Sequence, residues 1–530
     1  MSAKEIIEQG KAILGIEFGS TRIKAVLTDS DSNVIAMGAH DWENKLENGI
    51  WTYSMDDIHA GLRDCYSDLA KDVKTKYGTE IKNLAALGIS AMMHGYLAFD
   101  KDENLLVPFR TWRNTITGEA AAELTREFDF NIPQRWSIAH LYNAIIKKES
   151  HVPNIDHITT LAGYIHFRLT GESVLGVGEA SGMFPIDSSK CDYDEAMAEK
   201  FDKLSSSHGF GRKLRDVLPK VLPAGECAGK LTAEGAAFLD PSGILQAGTP
   251  VAPPEGDAGT GMVATNAVAA KTGNVSAGTS IFSMIVLEKP LKKLHEELDM
   301  VTTPDGYPVA MVHCNNCTSD INAWVGIITE ALELFGSKTD KGEIFTKLFE
   351  KAATGDADCG GVVTVPYLSG EPVTGFEEGR PLAVRQPDAA FNLANFMRSN
   401  LYSALTSLKI GMDILTKEEN VPIDRLMGHG GYFKTPVVGQ SFLAAAMNAP
   451  VTVMENAGEG GPWGMAILAS YMINKAEGET LPAFLDSRIF AGTKSSTISP
   501  DANLVKGFDK YTDNFRSALA AEKEAVCWKN

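Results

Sequence analysis

The sequence is poor in cysteine and in basic residues and has no long apolar run, and each deficit excludes a class of protein. Seven cysteines among 530 residues are too few for a disulfide framework, which fits a reducing, cytoplasmic compartment. The 68 acidic residues outnumber the 49 basic ones, and the net charge of −19 argues against a general binder of nucleic acid or anionic membrane. No apolar run reaches the length of a membrane span, and the polar, acid-containing residues 1–10 do not read as a secretory signal. The composition therefore predicts a cytoplasmic, multidomain protein with no nucleic-acid and no membrane partner.

The stretch 13–29 has the pattern of a β-hairpin with a small-residue turn. Two short apolar runs, 13–18 and 23–27, flank Gly19-Ser20-Thr21. The N–H groups and two hydroxyls of such a turn can hold phosphate oxygens, and glycine lets the backbone approach a ligand closely. Glu17 places a carboxylate at the mouth of the turn, within reach of a metal ion or its waters. Taken alone, the pattern fits a plain turn better than a ligand site.

The same pattern returns about half the chain later. Gly278-Thr279-Ser280 again lies between two short apolar runs, 274–277 and 281–286. A repeated supersecondary unit at half-length predicts two similar lobes with a boundary near residue 265. Two lobes that each direct a phosphate-type turn at a shared cleft would clamp a nucleotide.

Further elements are predicted to present chemistry-bearing residues at strand ends, where open α/β sheets bind ligands. The predicted strand 84–90 is followed by Met93-His94-Gly95, and the predicted strand 105–112 by Arg113-Asn114. The region 117–220 is predicted to be mostly helical, with a small-residue loop at 176–182. The clearest further helices are predicted at 55–77, 389–415 and 437–447.

The motifs of this sequence resemble those of the FGGY family of carbohydrate kinases, within the sugar kinase/actin/heat-shock ATPase superfamily, and especially its xylulokinase-like members. The resemblance covers nearly the whole chain after residue 12, and the motifs stand in the family's order. They are Gly15-Ile16-Glu17-Phe18-Gly19-Ser20-Thr21, Met93-His94-Gly95, Gly256-Asp257, Gly278-Thr279-Ser280, Pro366-Tyr367-Leu368-Ser369-Gly370-Glu371, Gly428-His429-Gly430-Gly431 and Gly458-Glu459-Gly460-Gly461-Pro462-Trp463-Gly464.

The resemblance implies a fold, a division into domains and an activity. The fold is α/β, with two similar ribonuclease H-like lobes (the actin-like ATPase fold) and a cleft between them. Residues 1–11 are an N-terminal extension, 12–265 a lobe with the sugar-binding residues, and 266–530 a lobe with the adenosine-binding glycine loops. The activity is ATP-dependent phosphorylation of a sugar hydroxyl with Mg²⁺, most simply on a ketopentose such as D-xylulose. L-ribulose, L-fuculose, gluconate and glycerol remain open as acceptors, and family habit suggests a homodimer.

The resemblance also implies roles for individual residues. Asp257 is the general base, and Glu17 and Asp257 lie near Mg²⁺. The ATP and its phosphates contact Gly19, Ser20, Thr21, Arg22, Gly278, Thr279, Ser280, Gly430 and Gly431. The sugar contacts Met93, His94, Trp112, Arg113, Asn114, Glu179 and Asp257.

Each of these residues also has a plain structural interpretation. Asp257 would serve equally well to cap a helix starting at Ala258, until the resemblance favours catalysis. His94 and Trp112 would be ordinary core residues. Cys314 and Cys317 have the spacing of half a metal site or a redox pair, but no second pair accompanies them, and two buried cysteines are the favoured interpretation.

Three positions depart from the family pattern and bear on the metal and the substrate. Glu17 stands where relatives usually have Asp, Asn114 stands where many have an Asp, and His140 stands where xylulokinases tend to have Lys. An ionised Asp only accepts hydrogen bonds, whereas Asn also donates. The second hypothesis is therefore a non-catalytic, nucleotide-dependent regulator on the same fold.

Overall fold

The computed structural model describes residues 1–454 and 460–528, which alternate strands and helices. The β-strands are β1 Ile13–Phe18, β2 Arg22–Thr28, β3 Val34–Asp41, β4 Lys45–Glu47, β5 Ile50–Thr52, β6 Ala86–Ala91, β7 Leu97–Phe99, β8 His157–Thr159, β9 Val174–Gly176, β10 Ile186–Asp187, β11 Asp192–Tyr193, β12 Lys220–Leu222, β13 Glu255–Gly256, β14 Thr272–Ala277, β15 Ile281–Val286, β16 Asp299–Thr302, β17 Pro308–Cys314, β18 Val362–Val365, β19 Leu382–Arg385, β20 Arg425–His429, β21 Val451–Met454 and β22 Ser495–Ile498.

The α-helices are α1 Ala3–Glu8, α2 Met55–Tyr77, α3 Gly118–Phe128, α4 Ser137–Ile146, α5 Leu161–Thr170, α6 Val177–Ala180, α7 Glu195–Ser207, α8 Leu214–Val217, α9 Ala233–Leu239, α10 Asp257–Ala264, α11 Ser319–Leu334, α12 Lys341–Ala352, α13 Leu393–Asp413, α14 Val438–Met447, α15 Gly461–Asn474, α16 Leu481–Phe484 and α17 Ala502–Val526. Short 3₁₀ turns lie at Val152–Asn154, Cys359–Gly361, Pro372–Thr374 and Gly431–Phe433, and π-helical turns at Ile414–Glu418 and Leu485–Ile489. In the described part of the chain, no helix combines the length and the apolar character needed to cross a membrane.

The described residues form two compact units. The first comprises residues 1–268, 299–309 and 460–492, and the second comprises 269–298, 310–454 and 493–528. The chain first leaves the first unit after Val268, close to the boundary predicted near residue 265, and it returns to that unit twice. The first unit is therefore assembled from stretches that are far apart in sequence.

The main sheet of the first unit has the strand order β13-β6-β1-β2-β3. Strands β1, β2 and β3 pair antiparallel in sequence order, so the predicted hairpin with its turn at Gly19-Ser20-Thr21 is confirmed. Strands β6 and β13 continue the sheet on the other side of β1, both in the parallel sense. The carboxyl ends of β1, β6 and β13 consequently lie at one edge of the sheet.

Helix α2 packs on β2 and β3. It begins after Ser54, whose side chain accepts a hydrogen bond from Asp57 N, and it ends at Gly78 in the left-handed conformation. The predicted helix 55–77 is therefore confirmed. Leu62 and Leu69 of α2 are fully buried in the core, and a Cβ on Gly38 of β3 would lie 2.4 Å from Leu69 N. Glycine thus allows strand and helix backbones to approach each other closely.

Helix α15 comes from late in the sequence and packs on β1 and β6. A Cβ on Gly15 would lie 2.1 Å from Pro462 O and 2.6 Å from Ala466 N, and one on Gly88 would lie 2.5 Å from Met465 Cε. A Cβ on Gly464 would meet Thr260 O of α10 at 2.1 Å. The contacts at Gly15 and Gly464 involve backbone atoms, which cannot rotate aside as a side chain can. The core of the first unit therefore requires α15 in direct contact with its central strands.

The main sheet of the second unit repeats the same plan. Its strands within this unit follow the order β17-β15-β14-β20-β21-β22. Strand β14 pairs antiparallel with β15 and parallel with β20, and β20 pairs parallel with β21. The hairpin with its turn at Gly278-Thr279-Ser280 is confirmed. Because a hairpin flanked by two parallel strands recurs, the prediction of two similar lobes is confirmed in topology.

The predicted strand 105–112 is wrong. Only single bridges connect this segment to its neighbours, Leu105 to Phe99 and Arg110 to Tyr96. Pro108 lies between them and has no N–H to contribute to a ladder, so the apolar run passes beside the sheet without joining it. Trp112 and its neighbours therefore extend from a loop rather than from the end of a strand.

The other predicted elements agree with the structure within a few residues. The helix predicted at 389–415 is Leu393–Asp413, and the one predicted at 437–447 is Val438–Met447. The predicted loop 176–182 contains the single helical turn Val177–Ala180.

Candidate functional site

One edge of the first unit's sheet gathers the predicted catalytic groups. Glu17 of β1 is in register with Ser90 of β6, and Glu255 of β13 is in register with the same Ser90. The three strands are parallel, so the residues that follow them emerge side by side. The turn Gly19-Ser20-Thr21 follows β1 and Asp257 follows β13. Sequence motifs more than two hundred residues apart are thus brought to one edge, as is typical of ligand sites in α/β sheets.

Two aromatic residues hold the carbonyl groups of the phosphate-type turn. Trp42 Nε1 donates to Gly19 O at 2.7 Å, Tyr53 Oη donates to Ser20 O at 2.7 Å, and Trp42 N donates to Thr21 O at 3.2 Å. The two rings stack with their centroids 4.1 Å apart. Among the described residues, the backbone hydrogen bonds of this turn include none from Ser20 N or Thr21 N, so both N–H groups are available to a ligand. The sequence prediction missed both aromatic residues.

Arg22 begins β2 directly after the turn, as predicted. Its guanidinium is paired with the Asp41 carboxylate, and both side chains are exposed. The Arg22 guanidinium holds the pKa of the Asp41 carboxyl below its usual range. Much of the positive charge of Arg22 is therefore already balanced by its neighbour.

Glu17 is a strongly perturbed carboxyl group. Burial raises its pKa to about 7, the charge of Asp257 adds to the rise, and the cross-strand Lys24 acts in the opposite direction. Gly461, at the start of α15, makes room for the side chain, because a Cβ on Gly461 would lie 1.7 Å from Glu17 Oε1. The longer carboxylate at position 17 is thus accommodated by a residue without a side chain.

Asp257 occupies the first position of α10 and retains access to solvent. Its Oδ1 accepts hydrogen bonds from Met93 N at 3.2 Å and from Ala258 N at 2.9 Å. Burial raises the pKa of Asp257 above its ordinary value, whereas the hydrogen bonds from Met93 N and Ala258 N lower it. Both of these bonds end on Oδ1, so Oδ2 takes part in neither of them. The same residue therefore satisfies the geometry of a helix start and of a base.

His94 lies in a strained turn beside Asp257's partner Met93. Its φ is +69°, and its ring Nδ1 lies 3.2 Å from Gly182 O. A carbonyl oxygen only accepts, so Nδ1 carries the proton and Nε2 is an acceptor. Burial and the charge of Arg135 lower the His94 pKa to about 3, which keeps the ring neutral. A neutral imidazole with a free acceptor suits a hydroxyl ligand.

Glu179 has a buried carboxyl group without a hydrogen-bond partner among the described residues. A Cβ on Gly256 would lie 2.6 Å from Glu179 Oε2, so the carboxyl group lies against the residue before Asp257. Burial raises its pKa well above the ordinary value, the charges of Glu255 and Asp257 add to the rise, and the nearby Thr160 hydroxyl acts in the opposite direction. Unpaired buried polar atoms are costly and indicate a missing ligand or water.

Trp136 also has a buried polar atom without a hydrogen-bond partner among the described residues. Its ring stacks on His94 with centroids 6.2 Å apart, and its Nε1 is buried without a partner in the described part of the chain. The sequence prediction missed this residue because a buried Trp in an apolar run looks like core. His140, one turn further along α4, is fully buried with both ring nitrogens unpaired among the described residues, and burial lowers its pKa to about 3.

The predicted sugar contacts Trp112, Arg113 and Asn114 lie on the loop after residue 110. Trp112 is 39% exposed, and the Arg113 guanidinium lies 3.6 Å from the ring centroid of Trp51. Asn114 is buried: Oδ1 accepts from Trp51 N at 2.9 Å, and Nδ2 donates to Trp51 O and Thr111 O, each at 2.9 Å. The Asn114 amide therefore ties two backbone segments together and uses both of its N–H donors.

Asn114→Asp is expected to destabilise the protein by about 2 kcal/mol or more, since a carboxylate would face two carbonyl oxygens that it cannot donate to. Chemical denaturation would measure the free energy of unfolding. Asn322→Asp, an exposed position on α11, is the matched control and is expected to change little. Equal stability of the two variants would contradict the assigned bonds.

The second unit's turn is held at its carbonyls in a similar way. Thr318 donates to Gly278 O from its N–H at 3.0 Å and from its hydroxyl at 2.7 Å, and Cys317 N donates to Thr279 O at 3.0 Å. Gly430 has a φ of +104°, and a Cβ there would lie 2.4 Å from Ala277 O, next to the turn. The predicted phosphate turn and the predicted adenosine glycines are thus neighbours within this unit.

Cys314 and Cys317 are buried free thiols, and the backbone N–H of Cys317 is one of the groups that hold the turn Gly278-Thr279-Ser280. Burial raises the pKa of each thiol, which keeps it protonated and poorly reactive. Within the described residues, no group of three acidic, His or Cys side chains has the arrangement of a metal site. In the predicted glycine motif 458–464, Gly458 and Glu459 lie outside the described residues, whereas Gly461 opens α15.

Comparison with known proteins identifies the family. The model of the N-terminal domain of the FGGY family of carbohydrate kinases matches residues 12–264, and the model of its C-terminal domain matches residues 273–473. The chain therefore belongs to the FGGY family of carbohydrate kinases. The predicted family and the predicted class of enzyme, a sugar kinase that uses a nucleotide, are confirmed.

Individual relatives are distant and differ in their sugars. The xylulose kinase of Haemophilus influenzae is 22% identical over 522 residues, which are 96% of this chain and 99% of that one. The glycerol kinase of Thermococcus kodakarensis is 23% identical over 292 residues, 53% of this chain and 54% of that one. Solved structures of a xylulose kinase and a gluconate kinase, both from Lactobacillus acidophilus, each superpose with a TM-score of 0.77 at 18% identity, covering 96% of this chain and 98% of theirs. The predicted two-domain α/β fold is confirmed.

Proposed function

We propose that the protein transfers the terminal phosphoryl group of ATP to a hydroxyl of a neutral sugar, most simply a ketopentose such as D-xylulose. The observation that carries the proposal is the position of Asp257. This residue retains access to solvent and lies at the same sheet edge as Glu17 and the turn Gly19-Ser20-Thr21, and the hydrogen bonds from Met93 N and Ala258 N leave Oδ2 unused. A raised pKa makes Asp257 a stronger base than an ordinary Asp.

The chemistry asks for positioning, charge stabilisation and a proton acceptor. Asp257 Oδ2 takes the proton of the attacking sugar hydroxyl. The N–H groups of Ser20 and Thr21 hold oxygens of the transferred phosphoryl group as its charge redistributes. In the second unit, we propose that Gly278-Thr279-Ser280 binds the inner phosphates and that Gly430 and Gly431 lie against the adenosine.

The residues at this edge fit Mg²⁺. Mg²⁺ is commonly bound by one or two carboxylates together with phosphate oxygens and water. Glu17 and Asp257 supply two carboxylates, and the charge of Asp257 reaches Glu17. When bound, Mg²⁺ would neutralise charge on the phosphates. Glu17 and Asp257 would hold the ion, and Glu17 would have to be deprotonated to bind it.

Mg²⁺ affinity is expected to fall by up to about tenfold per pH unit below pH 7, because metal binding must displace one proton from Glu17. The Glu17 pKa of about 7 lies above its ordinary value, so lowering the pH from 8 to 6 protonates the group in the folded protein. The measurement is the Mg²⁺-dependent rise of the thermal midpoint with ADP present, at pH 6, 7 and 8.

Glu17→Gln is expected to abolish this pH dependence and most of the Mg²⁺ effect, whereas Glu47→Gln, at an exposed position on β4, should behave like the wild type. Identical Mg²⁺ curves for Glu17→Gln and the wild type would remove Glu17 from the metal site.

The charges around the acceptor site favour a neutral sugar over a sugar acid. The carboxyl groups of Glu179 and Asp257 border it, and the Arg135 guanidinium, whose charge reaches His94, is already paired with Asp299. A carboxylate ligand would therefore meet the charge of Asp257, and the Arg135 guanidinium, which is paired with Asp299, is not free to compensate it. Hydroxyl groups, in contrast, can both donate to Glu179 and accept from the Trp136 indole N–H.

The test is release of ADP by the purified protein with D-xylulose, L-ribulose, L-fuculose, gluconate and glycerol. Turnover stimulated by a neutral ketose above the other acceptors supports the proposal. Stimulation by gluconate alone would overturn the charge argument. If the protein binds ATP yet no acceptor stimulates turnover, the non-catalytic nucleotide-dependent regulator becomes the better account, and a rise of the thermal midpoint with sugar would count against that account.

A further inference from the structure

A buried carboxyl group that the proposed chemistry does not use lies two residues before Asp257. Glu255 is 1% exposed, and its side chain points at the loop that carries Glu179. Oε1 accepts from Gly178 N at 3.3 Å, and Oε2 accepts from Glu179 N at 2.9 Å. These are consecutive N–H groups in the first turn of α6, which have no partner within so short a helix. Glu255 therefore holds the backbone of Glu179 directly.

Two glycines make this contact possible. A Cβ on Gly176 would lie 2.1 Å from Glu255 Oε1, and a Cβ on Gly178 would lie 2.3 Å from Glu255 Oε2. Neither glycine has a positive φ, so the backbone conformation alone does not require glycine at these positions. The space that they leave is filled by the Glu255 carboxyl group. The pattern Gly176-Val177-Gly178 is thus explained by a residue far away in sequence.

A second contact links the Glu179 loop to the carboxyl end of β13, next to Asp257. The Glu179 side chain returns to lie against Gly256, where a Cβ would meet Glu179 Oε2 at 2.6 Å and Met93 Cγ at 2.1 Å. Glu255 thus contacts the backbone of Glu179, while the side chain of Glu179 contacts the residue between Glu255 and Asp257. The Glu179 oxygens, which have no partner among the described residues, therefore lie against the residue directly before the proposed base.

We propose that Glu255 is a positioning residue for the sugar acceptor, which fixes the carboxyl group of Glu179 at the distance from Asp257 that the sugar's neighbouring hydroxyls require. The inference rests on the proposed function, since it takes Glu179 as a contact of the sugar. Binding groups that are locked by a second layer of hydrogen bonds hold a ligand in productive geometry without further loss of entropy.

The first test is Glu255→Gln, which keeps the length of the side chain but presents an NH₂ group to one of the two backbone N–H donors. With D-xylulose as acceptor, the sugar KM is expected to rise about tenfold, the size of one lost hydrogen bond, while the KM for ATP stays unchanged. Glu234→Gln, at an exposed position on α9, is the matched control and should alter neither constant.

A second test uses the close contact with glycine. Gly178→Ala alone is expected to raise the sugar KM, because its Cβ would collide with the Glu255 carboxyl group. In a Glu255→Gly background the same change has room and should add no further loss, so the two effects are non-additive. Simple additivity of the two changes would show that they do not act through one contact and would overturn the inference.

A third readout needs no ligand and separates this inference from the proposed function. Hydrogen exchange in the peptide that contains Gly178 and Glu179 is expected to be faster in Glu255→Gln than in the wild type or Glu234→Gln. If no sugar is turned over but exchange rises, the proposed function fails while the contact stands. Unchanged exchange overturns the contact, and a fall in thermal midpoint with equal rises in both KM values overturns the positioning role.

Discussion

The Asp257→Asn variant is expected to bind sugar and ATP and yet to turn over at least about a hundredfold more slowly than the wild type, the typical worth of a general base. The structure favours a clean loss of function. Both hydrogen bonds to Asp257, from Met93 N and Ala258 N, end on Oδ1, so an Asn can keep its oxygen there. Its NH₂ group then stands in the place of Oδ2. An amide NH₂ is not basic and cannot take the proton of the sugar hydroxyl.

The measurement combines sugar-stimulated ADP release with the thermal shift produced by each ligand. Asp56→Asn is the matched control, because Asp56 also lies in the first turn of a helix, α2, and is exposed. If Asp257 only stabilised the start of α10, its variant would lose a little stability and keep its turnover, as Asp56→Asn should. That result would refute the assignment of the base.

The Gly15→Ala variant is expected to lose more than about 3 kcal/mol of folding free energy, which is enough to prevent accumulation of a marginally stable protein. The added Cβ would lie 2.1 Å from Pro462 O and 2.6 Å from Ala466 N. Both are backbone atoms of α15, so relief requires the whole helix to move away from β1. Chemical denaturation, or the yield of folded protein, measures the effect.

The matched control is Gly326→Ala on α11, where a Cβ would meet no atom within 4 Å. In a helix interior this change should be neutral or stabilise by about 0.5–1 kcal/mol, because alanine loses less backbone entropy than glycine on folding. If Gly15→Ala resembled Gly326→Ala in stability, the close contact of α15 with β1 would be wrong.

The sequence was sufficient where local chemistry decides the structure. The hairpins around Gly19 and Gly278 and the helix 55–77 were predicted closely, since apolar runs around small-residue turns and the helical spacing of apolar residues are local signals. The strand at 105–112 failed because apolar content outweighed Pro108 in the prediction. A proline within an apolar run deserved more weight than the run itself.

The residues of the candidate site also fall into those that the sequence indicated and those that it did not. Asp257 and Glu17 were found from motifs, and their position at one sheet edge follows from parallel pairing through β6. The supports of the site were missed, because they depend on contacts across the sequence. Trp42 and Tyr53 donate hydrogen bonds to carbonyl groups of the first turn, and the residues next to them in the sequence do not indicate this role. The use of both Asn114 donors by backbone carbonyls was equally invisible from sequence.

The contact of α15 with β1 also has a consequence for how the chain is made. A ribosome completes β1, β6 and β13 by residue 256, yet α15 ends only at residue 474. At synthesis rates of about 5–20 residues per second, the face of the nascent sheet that carries Gly15 waits roughly 10 to 40 s for its helix. The bare glycines that allow the final close contact leave that face apolar and uncovered during translation. The first unit of this kinase is therefore expected to fold near the end of synthesis and to depend on chaperones until then.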